Sequence, residues 1–316
     1  MTRLPNSGRL AMKALLLASV MAAGAPAPGW TFGLFSKSAA KAPNAAAWNG
    51  ARASELAVLI RQALDEQRYV DAGTLLDQAA INGIQSTELT TLTGELYLAR
   101  GRFEDAIGQF RKAAVDSGQK GATLQGEGIA LSMLGRSDAA FAALKAATDQ
   151  DKTLWRAWNG LGREYDLRRD WAEARTAYDL ALVAPGVRAA VVLNNRGYSL
   201  LLQNKISEAS ADFIAALGKD PGLAAARTNL RIALAWQGLY ARAAVTGAGD
   251  DRAAVLNNVG LAAALRGDYD QAEKYLNEAM SAKGQYYDRA SENLQLARSL
   301  AERKEISSTP PVRVVH

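Results

Sequence analysis

Hydrophobic and polar positions follow a helical period along most of this chain, and the pattern itself returns about every 34 residues. One column of the repeat is always alanine: Ala72, Ala106, Ala140, Ala174, Ala209, Ala243 and Ala272. Twelve residues before it stands a second column, mostly glycine: Ile60, Gly94, Gly128, Gly162, Gly197, Arg231 and Gly260. Two small-residue columns per period, each within an amphipathic stretch, predict seven pairs of helices.

The residue types in these columns have a physical reason. Where two helices cross closely, only a small side chain lets the backbones approach. We number each repeat so that the alanine is position 20 and the mostly glycine column is position 8. Large residues at positions 17 and 24, such as Phe103 and Phe110 or Trp171 and Tyr178, then fill the space beside the crossing. These columns therefore predict core and turn residues rather than a cofactor site.

The fourth repeat carries the most complete pattern. It reads Trp158-x-x-Leu161-Gly162-x-x-Tyr165, followed by Trp171-x-x-Ala174-x-x-x-Tyr178-x-x-Ala181 and Pro185. This is the pattern of the tetratricopeptide repeat, in which two antiparallel helices occupy about 34 residues. We predict an all-α fold over residues 53–303. It is a right-handed superhelix (α-solenoid) of about seven helix pairs, closed by a C-terminal capping helix from Tyr286 to Arg303.

The sixth repeat departs from the pattern. Arg231 occupies the crossing position, Gly247 occupies position 24, and the register returns after 29 residues. We therefore expect its second helix, near Tyr240–Val245, to be short and followed by a local irregularity or hinge.

Both ends of the chain lack the repeat. Arg3, Arg9 and Lys13 accompany an apolar run over residues 14–23 and an Ala-Pro-Ala segment, which is typical of a secretory signal peptide over residues 1–27. An uncleaved N-terminal anchor and a cytosolic protein with an apolar start are the alternatives. Residues 28–52 are predicted to be a flexible linker and residues 304–316 a disordered tail. The expected location is the periplasm, with membrane association only through a partner or an uncleaved N-terminal helix.

The composition excludes several kinds of metal and catalytic site. The chain has no cysteine, and its one histidine is His316, the last residue. Thiolate metal sites, a cysteine nucleophile and a histidine general base are therefore excluded from the repeats. We predict no enzymatic activity, no metal and no cofactor. The net charge is +5 without any Lys/Arg run longer than two residues, so we predict no nucleic-acid partner either.

The C-terminal half resembles a particular group of repeat proteins. Leu256-Asn257-Asn258-Val259-Gly260, Leu265-Arg266-Gly267-Asp268-Tyr269 and Ser291-Glu292-Asn293-Leu294 are similar to the last repeats of TadD-type Flp pilus assembly proteins. The resemblance implies a protein that helps to assemble a pilus apparatus, with the outer-membrane secretin as a candidate partner. Many members of that family look like lipoproteins, and this chain departs from them because it has no cysteine.

Two functions follow as hypotheses. The first is a non-enzymatic protein-binding scaffold that acts in the periplasm as an assembly factor of a tad/Flp-type pilus secretion system. Its partner would be a protein or peptide segment of that machinery. The alternative is a periplasmic peptide-binding adaptor or chaperone for envelope or outer-membrane protein assembly.

The candidate binding residues lie at positions of the first helices that point to the concave surface of such a solenoid. Asparagine recurs there, and its amide both donates and accepts a hydrogen bond, so it can pair with the backbone of a bound peptide. The alternative is that these asparagines bridge neighbouring repeats or face water. The predicted peptide-binding residues are Arg156, Asn159, Arg163, Asn194, Asn195, Tyr198, Asn229, Trp236, Asn257 and Asn258.

Overall fold

The computed structural model describes residues 53–115, 120–247, 249–283 and 287–308. The predicted signal peptide and linker lie outside the described residues. Within them there are 15 helices and no strand, which confirms the predicted fold class. The helices are α1 (Ala53–Asp65), α2 (Tyr69–Ile81), α3 (Thr87–Ala99), α4 (Phe103–Val115), α5 (Lys120–Met133), α6 (Ser137–Gln150), α7 (Trp155–Arg168), α8 (Trp171–Val183), α9 (Ala189–Leu202), α10 (Ile206–Lys219), α11 (Ala224–Trp236), α12 (Tyr240–Ala243), α13 (Arg252–Arg266), α14 (Tyr269–Lys283) and α15 (Asp288–Ser308).

The first fourteen helices are the seven predicted pairs. All seven alanines of position 20 have no exposed surface, as the close-crossing interpretation requires. The glycines of position 8 lie against the large residue of position 24. A β-carbon on Gly94 would stand 2.7 Å from Phe110, and one on Gly162 would stand 2.6 Å from Tyr178. The space that glycine leaves is therefore filled by an aromatic or leucine side chain from the paired helix.

The turn inside each pair uses a left-handed residue. Gly101, Gly135, Gly238 and Gly267 have positive φ there, which glycine adopts without steric cost. The corresponding turns of repeats one, four and five place Gln67, Arg169 and Asn204 in the same conformation, with φ of 58°, 63° and 63°. The turn geometry is thus kept even where the sequence does not supply glycine.

The second helix of repeat six is short, as predicted, and ends at Ala243. Arg231 compensates for the missing turns. Its guanidinium donates from Nε and Nη2 to the Val245 carbonyl at 3.2 and 3.0 Å, and from Nη1 to Asp250 at 3.2 Å. The large residue of this repeat is therefore on the first helix and the glycine, Gly247, is at position 24. This is the reverse of repeats two to five and seven, in which position 8 is glycine and position 24 is large.

The last helix shields the end of the repeats. Ala290, Leu294 and Ala297 of α15 are buried in the same apolar cluster as α13 and α14. The helix continues to Ser308, past the predicted start of the tail at residue 304, since Lys304 and Glu305 are good helix formers and the first proline is Pro310. The remainder of the predicted tail lies outside the described residues.

The described residues form two compact units, residues 53–195 and residues 196–308, and the boundary falls within α9. The first unit has two apolar clusters, one over residues 56–96 and one over residues 98–177. The second unit has one cluster, over residues 198–297. No helix in the described part of the chain is both long enough and apolar enough to cross a membrane.

Candidate protein-binding surface

An ion pair lies on the first-helix face of the first unit, the face made by the side chains of α1, α3, α5 and α7 that point away from the second helices. Arg156 on α7 donates from Nη1 and Nη2 to the two carboxylate oxygens of Glu95 on α3, at 3.0 and 3.1 Å. The side chains are only 17% and 14% exposed. The pair joins repeats four and two, and its two-pronged geometry is the strongest arrangement available to arginine and a carboxylate.

Further charges surround this pair. Partial burial raises the pKa of the Asp65 carboxyl, and the positive charges of Arg61, Arg188 and Arg156 offset part of that increase. Arg61 also donates to Glu88 at 2.8 Å. We call Arg61, Asp65, Glu95, Arg156 and Arg188 the charged cluster. With Glu88, the partner of Arg61, this group of side chains holds three positive and three negative charges, so they balance.

Arg163, also on α7, has a different neighbour. The buried Tyr178 hydroxyl donates to Asp166 at 2.8 Å. Burial and the Asp166 charge raise the pKa of Tyr178 well above its ordinary value, and the positive charge of Arg163 opposes that increase. Arg163 is therefore close enough to the Tyr178 hydroxyl for its positive charge to act on that group.

The predicted asparagines of the first unit bind one another. Asn195 donates from Nδ2 to the Asn159 side-chain oxygen at 3.0 Å, and Asn194 donates to Asn195 at 3.2 Å. All three side chains are at most 1% exposed. This hydrogen bond between repeats is the alternative that the sequence left open, and it satisfies amides that would be costly to bury unpaired.

The second unit repeats the arrangement. Asn293 of α15 donates to the Asn257 side-chain oxygen at 2.8 Å, and Asn257 donates to Asn258 at 3.3 Å. Asn229 is 1% exposed, Tyr198 7% and Trp236 2%. Trp236 therefore packs in the core of its own unit and offers no apolar surface to a partner in this conformation.

Three of the ten predicted residues remain within reach of a partner. Arg156, Arg163 and Asn258 are partly exposed, whereas the other seven are buried. The sequence analysis assigned these residues by their position within the repeat, which determines which way a side chain points. It could not distinguish a residue on the open face from one covered by the next repeat.

The charged cluster contains residues that sequence reasoning missed as sites. Nothing in the sequence indicates that Glu95 pairs with a residue 61 positions away. No sequence motif marks Arg61 or Asp65, near the end of α1, as a binding residue. Among the residues that the structure describes, no group of three or more acidic or histidine side chains is arranged to hold a metal ion.

Comparisons with known proteins agree with this architecture. The family profile of the tetratricopeptide repeat matches residues 253–286, which span α13 and α14. A comparison with curated proteins gave no match to this sequence.

Solved structures of similar shape are repeat proteins of low sequence identity. A chain of the APC/C hetero-tetramer Cut9–Hcn1 matches with a TM-score of 0.57 and 18% identity, over 77% of this chain and 48% of that one. This chain therefore spans about half the length of that relative. Pseudomonas aeruginosa PilF matches with a TM-score of 0.52 and 18% identity, over 71% of this chain and 98% of that one. The Thermus thermophilus tetratricopeptide protein TTC0263 matches with a TM-score of 0.51 and 19% identity, over 57% of this chain and 98% of that one.

Proposed function

We propose that this chain, which has the tetratricopeptide-repeat fold, is a non-enzymatic scaffold that binds another protein through the first-helix face of residues 53–195. The observation that carries the proposal is the charged cluster. It is a set of charged side chains that helices from three repeats hold close together on one face. Arginine is enriched among interface residues that contribute most to binding. The buried asparagines would hold the spacing of the repeats, while Arg156 and Arg163 contact the partner.

The finer proposal is that the protein acts in the periplasm as an assembly factor of a tad/Flp-type pilus secretion system. Its support is the resemblance of residues 256–269 and 291–294 to the last repeats of TadD-type proteins. The partner would then be a component of the pilus or secretion machinery, with the secretin as the leading candidate.

Photocrosslinking in the native cell tests both the scaffold proposal and the pilus-assembly proposal. A photoreactive amino acid would replace Leu167, which is 58% exposed on the first helix α7, and in a matched control Ile214, which is 54% exposed on the second helix α10. We expect protein adducts from position 167 and few from position 214. Absence of protein adducts at both positions would contradict the scaffold proposal. Adducts with outer-membrane protein precursors rather than pilus components would favour the chaperone alternative.

A further inference from the structure

A hydrogen bond that joins neighbouring repeats elsewhere is missing between repeats six and seven. Asn195, at position 6 of repeat five, accepts from Asn194 at 3.2 Å and donates to Asn159, at position 5 of the preceding repeat, at 3.0 Å. Asn258 is the position-6 residue of repeat seven, and it likewise accepts from its neighbour Asn257, at 3.3 Å. The Asn258 Nδ2, however, donates to no acceptor among the described residues.

A cavity lies where that acceptor is missing, inside the second unit. Position 5 of repeat six is Thr228, whose hydroxyl has no hydrogen-bond partner among the residues that the structure describes. Thr228 and Asn258 line the same cavity, which has a volume of about 200 Å³. At the next joint, position 5 is Asn257, and its side-chain oxygen accepts from Asn293 of α15 at 2.8 Å. A carboxamide therefore occupies this place in repeats four and seven, and repeat six has only the shorter threonine.

The walls of the cavity suit the stem of one side chain. Ile232, Ala235 and Val259 are buried and contribute apolar surface to the lining. Sites for drug-sized ligands enclose roughly 300–1,000 Å³, so the cavity is smaller than such a site. It therefore fits a single side chain that has apolar methylene groups and one polar end.

The charged groups of the lining already have partners within the chain. Arg231 donates to Asp250 at 3.2 Å. Asp251 accepts from the Ala254 amide at 3.1 Å and from Lys283 at 3.4 Å. The described lining thus offers no unpaired charge, and the groups left to bind a ligand are a side-chain amide and a hydroxyl. A charged ligand would lose its hydration without gaining an opposite charge, so this chemistry selects a neutral one.

We propose that the cavity binds the side-chain carboxamide of a glutamine from a partner protein. Its oxygen accepts from the Asn258 Nδ2, as the Asn159 oxygen accepts from Asn195, and its amide group donates to the Thr228 hydroxyl oxygen. The two methylene groups of glutamine contact the apolar walls. This site goes beyond the proposed function, because it is separate from the first unit; it rests on that function only for the ligand being part of a protein.

The test adds N-acetylglutamine N′-methylamide to the purified, ¹⁵N-labelled chain. Nuclear magnetic resonance follows the Asn258 side-chain amide, whose signal is assigned by its loss in Asn258→Ala. We expect a saturable shift with a Kd in about the millimolar range. The matching methionine and glutamate compounds keep the backbone amides but lack the neutral carboxamide, and they should give no saturable shift. No saturable shift with the glutamine compound, or an equal shift with either analogue, would overturn the inference.

Thr228→Asn supplies the missing carboxamide from within the chain. We expect it to raise the melting temperature by about 2–4 °C and to abolish the ligand-induced shift, because the introduced amide takes the Asn258 donor and fills the cavity. Thr91→Asn is the matched control, since it makes the same change at position 5 of repeat two, where position 6 of the next repeat is Gly126 and offers no amide. This control should leave the shift unchanged. Full binding by Thr228→Asn would place the ligand elsewhere and overturn the inference.

Thr228→Val keeps the inference testable if Thr228→Asn does not fold. It removes the hydroxyl at nearly constant size, so binding of the glutamine compound should weaken about threefold to tenfold. Unchanged binding would contradict the assigned hydrogen bond to Thr228. Protein adducts at position 167 without amide binding would refute only this site, whereas amide binding without adducts would refute the scaffold.

Discussion

At the scale of single residues, the turn inside each helix pair has the same left-handed conformation whether or not its residue is glycine. Seven pairs need a positive φ at this position, and four of them have glycine. A residue with a β-carbon is strained in this region, by roughly 1–2 kcal/mol for most side chains. Repeats one, four and five therefore carry a local cost that the helix packing on either side offsets.

Arg169 offers a direct test of that cost. Its side chain is exposed and its φ is 63°. We expect Arg169→Gly to raise the free energy of unfolding by about 0.5–1 kcal/mol, because the relief of strain exceeds the extra entropy of glycine in the unfolded chain. Urea denaturation would measure it. Arg169→Ala keeps the β-carbon and should give no such gain; an equal gain from alanine would show that loss of the arginine side chain is responsible.

The buried asparagines give the second residue-scale prediction. Replacing Asn195 by alanine leaves the Asn159 oxygen without its 3.0 Å donor in a site where both side chains are 1% exposed. We expect a loss of about 1–3 kcal/mol in unfolding free energy. Asn159→Ala/Asn195→Ala should cost less than the sum of the two single changes, since neither partner is then left unpaired.

The exposed Asn277 provides the control, and Asn277→Ala should change stability by less than about 0.5 kcal/mol. If Asn195→Ala behaves like this control, the hydrogen bond between repeats contributes little, and the asparagines again become candidates for binding a ligand. The sequence predicted that these positions recur together. It could not predict their burial, because that depends on the repeat that covers them.

At the scale of helices, the contact between position 8 and position 24 determines which glycines are required. Gly162 and Gly108 are both inside helices, so alanine is favoured at both by intrinsic propensity. A β-carbon at position 162 would stand 2.6 Å from the fully buried Tyr178 ring, whereas one at position 108 would meet nothing within 4 Å. Helix propensity therefore favours alanine at both positions, whereas packing opposes alanine at position 162 alone.

We expect Gly162→Ala to destabilise the protein by about 1–3 kcal/mol through overpacking. Gly108→Ala should stabilise it by up to about 1 kcal/mol. Thermal melting followed by circular dichroism would compare the two variants. If both raise the melting temperature, the helices of repeat four can separate easily, and the close-crossing account of the glycine column would be wrong.

In repeat six, the Arg231–Asp250 ion pair stands where the other repeats continue their second helix. The Arg231 guanidinium, with help from the Gly247 amide, holds the pKa of Asp250 below its ordinary value of 3.8. A carboxyl whose pKa is lowered by folding stabilises the folded state fully above its ordinary pKa, and that contribution disappears as pH falls through the folded pKa. Arg231→Met should therefore cost about 1.5–3 kcal/mol at about pH 6 and less at about pH 2.5.

Arg227 lies farther from Asp250, at 4.0 Å, and its side chain is 35% exposed. Arg227→Met should accordingly cost less than about 1 kcal/mol at about pH 6. Chemical unfolding of both variants at the two pH values checks this. A cost for Arg231→Met that stays the same at low pH would assign its role to the Val245 carbonyl rather than to Asp250.

At the scale of the whole molecule, the repeat made most of the fold predictable. The seven alanines predicted seven pairs, and Gly247 together with the short register predicted the truncated helix α12. The Glu95–Arg156 pair was not predictable, because its partners belong to repeats two and four. Their distance depends on small rotations that accumulate from repeat to repeat, and no single repeat encodes that geometry.

Export is the remaining prediction, and it concerns residues outside the described part of the chain. The basic residues Arg3, Arg9 and Lys13, the apolar run over residues 14–23 and the small residues after it predict recognition by the secretory machinery and cleavage. The apolar run is shorter than the roughly 20 residues that a comfortable transmembrane helix needs, which favours cleavage over anchoring. N-terminal sequencing of protein purified from the native host should begin between residues 24 and 32. Recovery of Met1 or Thr2 on soluble cytosolic protein would contradict export, and recovery of the same residues on membrane-bound protein would indicate an uncleaved anchor instead.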